Sequence, residues 1–171
     1  MEFKVSRDFI TQIQQYIEEN NEQELQNLLN EIHYADIAEI MGELYDSDAI
    51  YIFHILDSEK TAEILLELDE EVREKILREL SPKEIAEELD ELSTDDAADI
   101  IAELPAEMKE EVISEIQDVE HAKDIVDLLR YDEDTAGGLM GKELVKVNEN
   151  WNVLSCVKEM QCVALQIVLL W

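Results

Sequence analysis

Apolar positions return every twelve residues along most of this chain. The series Ile32, Leu44, Leu56, Leu68, Leu80, Leu92, Leu104, Ile116 contains nothing but Leu and Ile. Taking each as position twelve of a unit divides residues 21–116 into eight units. Position nine is then Leu29, Met41, Phe53, Leu65, Leu77, Leu89, Ile101 and Ile113. Position eight is Leu28, Ile40, Ile52, Ile64, Ile76, Glu88, Ile100 and Val112. Offsets of i, i+1 and i+4 lie on one face of an α-helix and do not fit strand alternation. Position five adds Leu25, Ile37 and Ile85 one turn earlier. Elsewhere it is Ala49, Thr61, Arg73, Ala97 or Lys109, so the stripe is expected to fade toward the helix start.

The first positions of most units read as helix starts. Asp57 and Asp69 are acidic caps, and Ser81-Pro82-Lys83-Glu84 carries a capping-box pattern with proline in the first turn. Ser93-Thr94-Asp95-Asp96 is similar, and Pro105 opens the last unit. Each unit therefore predicts a helix of roughly nine or ten residues and a corner of two or three. Helices this short are marginal alone. They persist by burying the stripe against neighbours, at roughly 1.5–3 kcal/mol for each buried Leu. A fixed period favours a regular stack over an irregular helical domain. The expected fold is all-α: a superhelical, armadillo-like stack of about ten short helices built from 24-residue hairpins.

The chain has 171 residues, 44 acidic and 13 basic, for a net charge of −31. With 46% hydrophobic residues in periodic order it is not a disordered acidic chain. No basic stripe is present to neutralise phosphates, so neither nucleic acid nor direct binding to an anionic membrane is expected. Such a charge opposes its own compaction. Two carboxylates about 6 Å apart repel by roughly 3 kcal/mol at an effective dielectric near 20, and a divalent cation between them reverses the sign. The composition thus invites a cation, although acids that merely solvate outer faces are the commoner case. Cys156 and Cys162 make no disulfide framework and suit a reducing compartment. The N-terminus, Met1-Glu2-Phe3-Lys4, lacks the apolar core of a signal peptide, and no stretch is long and apolar enough to span a bilayer.

After Ile116 the phase slips by one, into a helix expected near 118–130. Tyr131-Asp132-Glu133-Asp134-Thr135-Ala136-Gly137-Gly138-Leu139-Met140 follows, with three of the four glycines between 137 and 141. There the backbone must bend or come close to something. Leu144 to Val147 alternates like a short strand, and Val153 to Met160 reads as a helix start. A domain boundary is expected near 130–140. It leaves a helical domain over 1–130, then a junction and an incomplete α/β unit over 131–171.

The decapeptide Tyr131–Met140 resembles the junction motif of the MgtE family of magnesium transporters. The helical repeats, including Ser93-Thr94-Asp95-Asp96-Ala97-Ala98-Asp99, resemble the N domain that precedes it, and Leu139 to about Gln161 resembles the start of a first CBS domain. The resemblance implies a regulatory role on the cytoplasmic side of the cell membrane. In such proteins Mg²⁺ bridges acids of the N domain, the CBS domains and pore-side helices, holding the assembly compact and the pore shut. The implied partners are the rest of the transporter, its CBS pair and transmembrane pore, with a homodimer in the full-length protein. Mg²⁺ is a hard ion that takes carboxylate, carbonyl and water oxygens in an octahedron. No pore and no complete CBS domain lie within these 171 residues, and Cys162–Trp171 departs from the family pattern. Transport by this chain alone is therefore not expected.

The resemblance implies that Asp95 and Asp99, four residues apart on one helical face, are paired metal ligands. Helix capping and dipole stabilisation are the ordinary alternative. Glu63 matches a third acid more loosely; its alternative is a solvated glutamate. Gly137 and Gly138 are implied as carbonyl donors, against a plain interdomain turn. His33, His54 and His121 have no metal-ligand spacing and read as surface or boundary residues; both cysteines read as core positions. No phosphate loop, zincin motif or nucleophile elbow occurs, so no enzyme is expected. The rival reading is a protein-interaction scaffold, since short-helix stacks also resemble the repeats of the flagellar motor switch protein FliG.

Overall fold

The computed structural model describes residues 6–131, 135–142 and 150–158. Ten helices fill the first segment: α1 (Arg7–Glu18), α2 (Glu22–Asn30), α3 (Tyr34–Glu43), α4 (Asp46–Ile55), α5 (Ser58–Glu67), α6 (Glu70–Glu79), α7 (Pro82–Leu89), α8 (Thr94–Glu103), α9 (Ala106–Glu115) and α10 (Val119–Leu128). From α3 on, each helix coincides with one twelve-residue unit until the slip before α10. A helix over 153–158 belongs to a second unit, residues 142–171, separate from the unit of residues 1–141. Asn152 starts that helix by accepting from the Ser155 amide at 3.0 Å. The strand expected at Leu144 to Val147 lies outside the described residues, as do Met160 and Cys162.

The helices pack as two interleaved series. α3, α5, α7 and α9 pack in succession, each on the helix two places on. In the other series α4 packs on α6 and α8 on α10, while α1 and α2 pair at the start. The structural repeat is therefore the 24-residue hairpin, as in other solenoids whose units contact only near neighbours. One core runs through it, from Ile13 to Leu128.

The corners explain the invariant aliphatic. In the units of α3 to α6, α8 and α9, position twelve is not the last helical residue but the residue after it; after α2 and α7 it lies further into the corner. Leu44, Leu56, Leu68, Leu80 and Leu104 are C-caps in extended conformation, with ψ between 143° and 168°. The next residue, Tyr45, Asp57, Asp69, Ser81 or Pro105, is the extended N-cap of the following helix. Two extended residues turn the chain and swing the aliphatic side chain inward. Such a corner needs no left-handed residue, and the one described residue at positive φ is Asn20, before α2. The phase slip after Ile116 is one extra corner residue, Gln117, between C-cap Ile116 and N-cap Asp118.

Three expectations are corrected. The stripe continues through position five where the residue is small, since Ala49, Thr61 and Ala97 are as buried as Leu25, Ile37 and Ile85; it is interrupted at Arg73 and Lys109. Asp69 occupies an N-cap without a side-chain capping bond, whereas Asp57 accepts from the Lys60 amide at 3.1 Å. Ser93 makes no capping bond either, unlike Ser81, whose box with Glu84 is complete.

Candidate functional site

Asp95 lies in the first turn of α8 and Asp99 one turn on, both half-buried. Ser93 explains its missing cap: its Oγ lies 2.7 Å from Asp95 Oδ1 and 2.6 Å from Asp96 Oδ2. One hydroxyl hydrogen is thus shared between two carboxylates at the helix start. Glu63 is half-buried in α5 and borders a cleft of about 440 Å³ with Asn30, Tyr34, Asp57, Glu59 and Lys60. Among the described residues no three His, Cys, Asp or Glu side chains converge as a metal site. Asp95, Asp99 and Glu63 are therefore hard oxygen donors of the kind Mg²⁺ takes, carried on two helices and not gathered into one cage.

Gly137 and Gly138 lie in a turn over 136–139. The Gly138 amide donates to Thr135 Oγ1 at 3.2 Å, and the Leu139 amide to the Thr135 carbonyl at 3.0 Å. Neither glycine is at positive φ. Gly137 is small for another reason: a Cβ there would fall on the ring of Tyr131. The junction glycine thus admits a close approach, one of the two roles expected of it.

A second acidic group was announced in the sequence only as two exceptions to the stripe. Thr61, at position five of α5, and Glu88, at position eight of α7, meet in the core. Thr61 Oγ1 and Glu88 Oε2 are 2.6 Å apart. Burial pushes the Glu88 carboxyl up to about 7, opposed by the Thr61 hydrogen bond and reinforced by Glu91, Glu87 and Asp57. α7 is the shortest of the ten helices, and its corner runs through Asp90 and Glu91. Asp90 Oδ2 accepts from the Gln117 amide at 3.1 Å. Asp90 Oδ1 and Glu91 Oε2 are buried without a hydrogen-bond partner. Burial, with Glu59 and Asp90 nearby, also raises the Glu91 carboxyl.

Several of the scarce cations are spent on helix ends. Arg73 Nη1 donates to the carbonyls of Leu65 (3.1 Å) and Leu68 (3.0 Å), while Nε and Nη2 grip Glu103 at 2.9 and 2.6 Å. The Glu103 hydrogen bond holds this guanidinium above its ordinary value, so it stays charged. Lys109 Nζ donates to the Ala102 carbonyl at 2.7 Å. Lys60 Nζ donates to the Leu29 carbonyl at 2.8 Å, and burial lowers its pKa against the pull of Asp57. Arg73 and Lys109 are position-five residues: where the stripe is interrupted by a cation, the cation caps the end of an earlier helix. His33 caps α3 through Nδ1, and His121 Nε2 lies 3.1 Å from the Leu89 carbonyl. Cys156 is a half-buried free thiol.

Residues 32–134 match the family model of the MgtE intracellular N domain. Two solved structures are similar over 91% of this chain. The crystal structure of the cytosolic domain of the Mg²⁺ channel MgtE in complex with ATP is 30% identical, with a TM-score of 0.79. That of the soluble part of a magnesium transporter is 24% identical, with a TM-score of 0.75, a likeness of fold. The chain spans 63% and 61% of the length of these two structures. A search of curated proteins gave no match.

Proposed function

Because this chain belongs to the MgtE intracellular N-domain family, we propose that it is the Mg²⁺-sensing regulatory part of an MgtE-type magnesium transporter. The observation that carries the reading is the family match from Ile32 to Asp134, which takes in α3 to α10 and enters the junction. The excess of acids, 44 against 13 basic residues, supplies the physical rationale. A chain with this charge repels itself, and a divalent cation relieves the repulsion wherever carboxylates face each other. In this reading Asp95, Asp99 and Glu63 give carboxylate oxygens, and Gly137 or Gly138 a carbonyl. The remaining ligands come from a CBS pair, whose first residues follow Leu139, and from the pore domain. Mg²⁺ bound across such interfaces holds the domains together and the pore closed; its loss releases them. Few ligands per domain and several retained waters make each site weak, which suits an ion sensed at high concentration.

An amide NMR titration tests the assignment. Resonances of residues 94–99 should move saturably with MgCl₂ and remain still in NaCl of equal ionic strength. Asp95→Ala with Asp99→Ala should abolish the movement; an unchanged response would remove these two residues from the site. The scaffold reading has one observation in its favour. Ile113, Ile116, Val119 and Val126 border a groove of about 620 Å³ between α9 and α10, with Val119 63% exposed. A partner protein held through that groove, together with no response to MgCl₂, would favour it.

A further inference from the structure

We propose that Glu88 and Thr61 form a proton-operated latch between α5 and α7, closed when Glu88 is protonated and loosened when it ionises. Glu88 stands at a position that is aliphatic in every other unit and is 8% exposed; Thr61 is 1% exposed. Thr61 Oγ1 lies 2.6 Å from Glu88 Oε2, 2.9 Å from the Asp57 carbonyl and 3.2 Å from the Ser58 carbonyl. A threonine hydroxyl carries one hydrogen and accepts through its lone pairs. If Glu88 is ionised, that one hydrogen must turn to the carboxylate, whose charge then sits in the core with a single neutral donor, while the Asp57 carbonyl falls back on the Lys60 and Thr61 amides. If Glu88 is protonated, the acid donates to Oγ1 and the hydroxyl keeps its hydrogen for Asp57. Both bonds then form at once, so the neutral acid satisfies the seam.

The surroundings push the same way. Glu87 on α7, Glu91 in the following corner and Asp57 at the start of α5 all act against a charge on Glu88. Glu59 of α5 and Asp90 load the corner further. Glu115 of α9 acts on Lys83 at the far end of α7, and α10 contributes His121 on the Leu89 carbonyl. Among the described residues no cation pairs with Glu88. The seam is also the weakest joint of its series: α5 packs on α7 less extensively than α3 on α5 or α7 on α9. Ionisation there weakens the contact between the half of the stack ending in α5 and the half beginning with α7.

The sign follows from the raised carboxyl. The folded chain keeps its proton up to about 7, whereas the unfolded chain loses it near the ordinary 4.5. The contribution to stability is fully present below 4.5 and is lost as pH rises through about 7. Hydrogen exchange of the α5 and α7 amides, on the intact chain with chelator present, reads this directly. After correction for intrinsic exchange, opening of the seam should increase about tenfold between about pH 6 and pH 8. Glu88→Gln, uncharged at every pH, should show no such increase. A flat wild-type profile, or the same pH dependence in Glu88→Gln, would overturn the latch. Should the variant fail to fold, ¹³C titration of the wild-type Glu88 carboxyl decides: a midpoint near 7 supports the latch and an ordinary one refutes it. With metal absent, the outcome is independent of the Mg²⁺ reading.

Discussion

Arg73 holds three elements at once. Its guanidinium leaves α6 to satisfy two carbonyls at the end of α5, and its fork closes on Glu103 of α8. The side chain is only 16% exposed, so little solvent screens these bonds. Removing it leaves a carboxylate without its fork and two carbonyls without their donor. Arg73→Ala should therefore cost about 2–4 kcal/mol in urea denaturation. Arg73→Lys should recover less than half of that, because a point charge cannot satisfy the fork and the carbonyls together. Lys75, paired with Asp46 at 3.0 Å but 47% exposed, is the control: Lys75→Ala should change stability by less than about 0.5 kcal/mol. At this scale the sequence hides its partners. Thr61, Arg73, Glu88 and Lys109 stand out as interruptions of an apolar stripe, yet their spacing does not say what each reaches. Thr61 meets Glu88 because α5 packs on α7 across the intervening α6, a distance in sequence that only the stack makes short.

The helices themselves were legible because a short amphipathic helix must repeat its buried face at every unit, and because Ser81, Pro82 and Glu84 mark a start by local chemistry alone. Caps that depend on rotamer choice were not. Ser81, Ser93, Asp57 and Asp69 all look competent as caps, but Ser93 turns to Asp95 and Asp96, and Asp69 bonds no amide. A paired substitution separates the two kinds. Ser81→Ala breaks a complete capping box and should cost about 1 kcal/mol. Asp69→Ala removes no capping bond and should stay within about 0.5 kcal/mol in the same denaturation assay. The corners were half legible. Their length follows from the period, whereas the extended conformation of position twelve does not, since an i, i+4 offset places that residue on the helical face in the sequence pattern.

For the molecule as a whole, charge and architecture pull against each other. A stack of short helices depends on close packing between neighbours, yet the chain carries a net charge of −31. Simple salt should relieve part of that repulsion by screening and raise stability gradually. A divalent cation held by particular carboxylates acts differently, through a binding equilibrium that saturates. Asp95 and Asp99 were legible as candidates from their spacing and from the resemblance around them; how an ion would complete its shell was not, because among the described residues no three such side chains converge. The most direct measurement is the thermal midpoint of the wild type and of Asp95→Ala with Asp99→Ala, in MgCl₂ and in NaCl of equal ionic strength. With Mg²⁺ at ten times its dissociation constant, the wild type should gain about 1.4 kcal/mol over the NaCl control, a rise of about 5 °C. The double variant should show the same midpoint in both salts. Equal midpoints for the wild type in the two salts, or an Mg²⁺-specific rise that survives in the double variant, would contradict the assignment of Mg²⁺ to these acids.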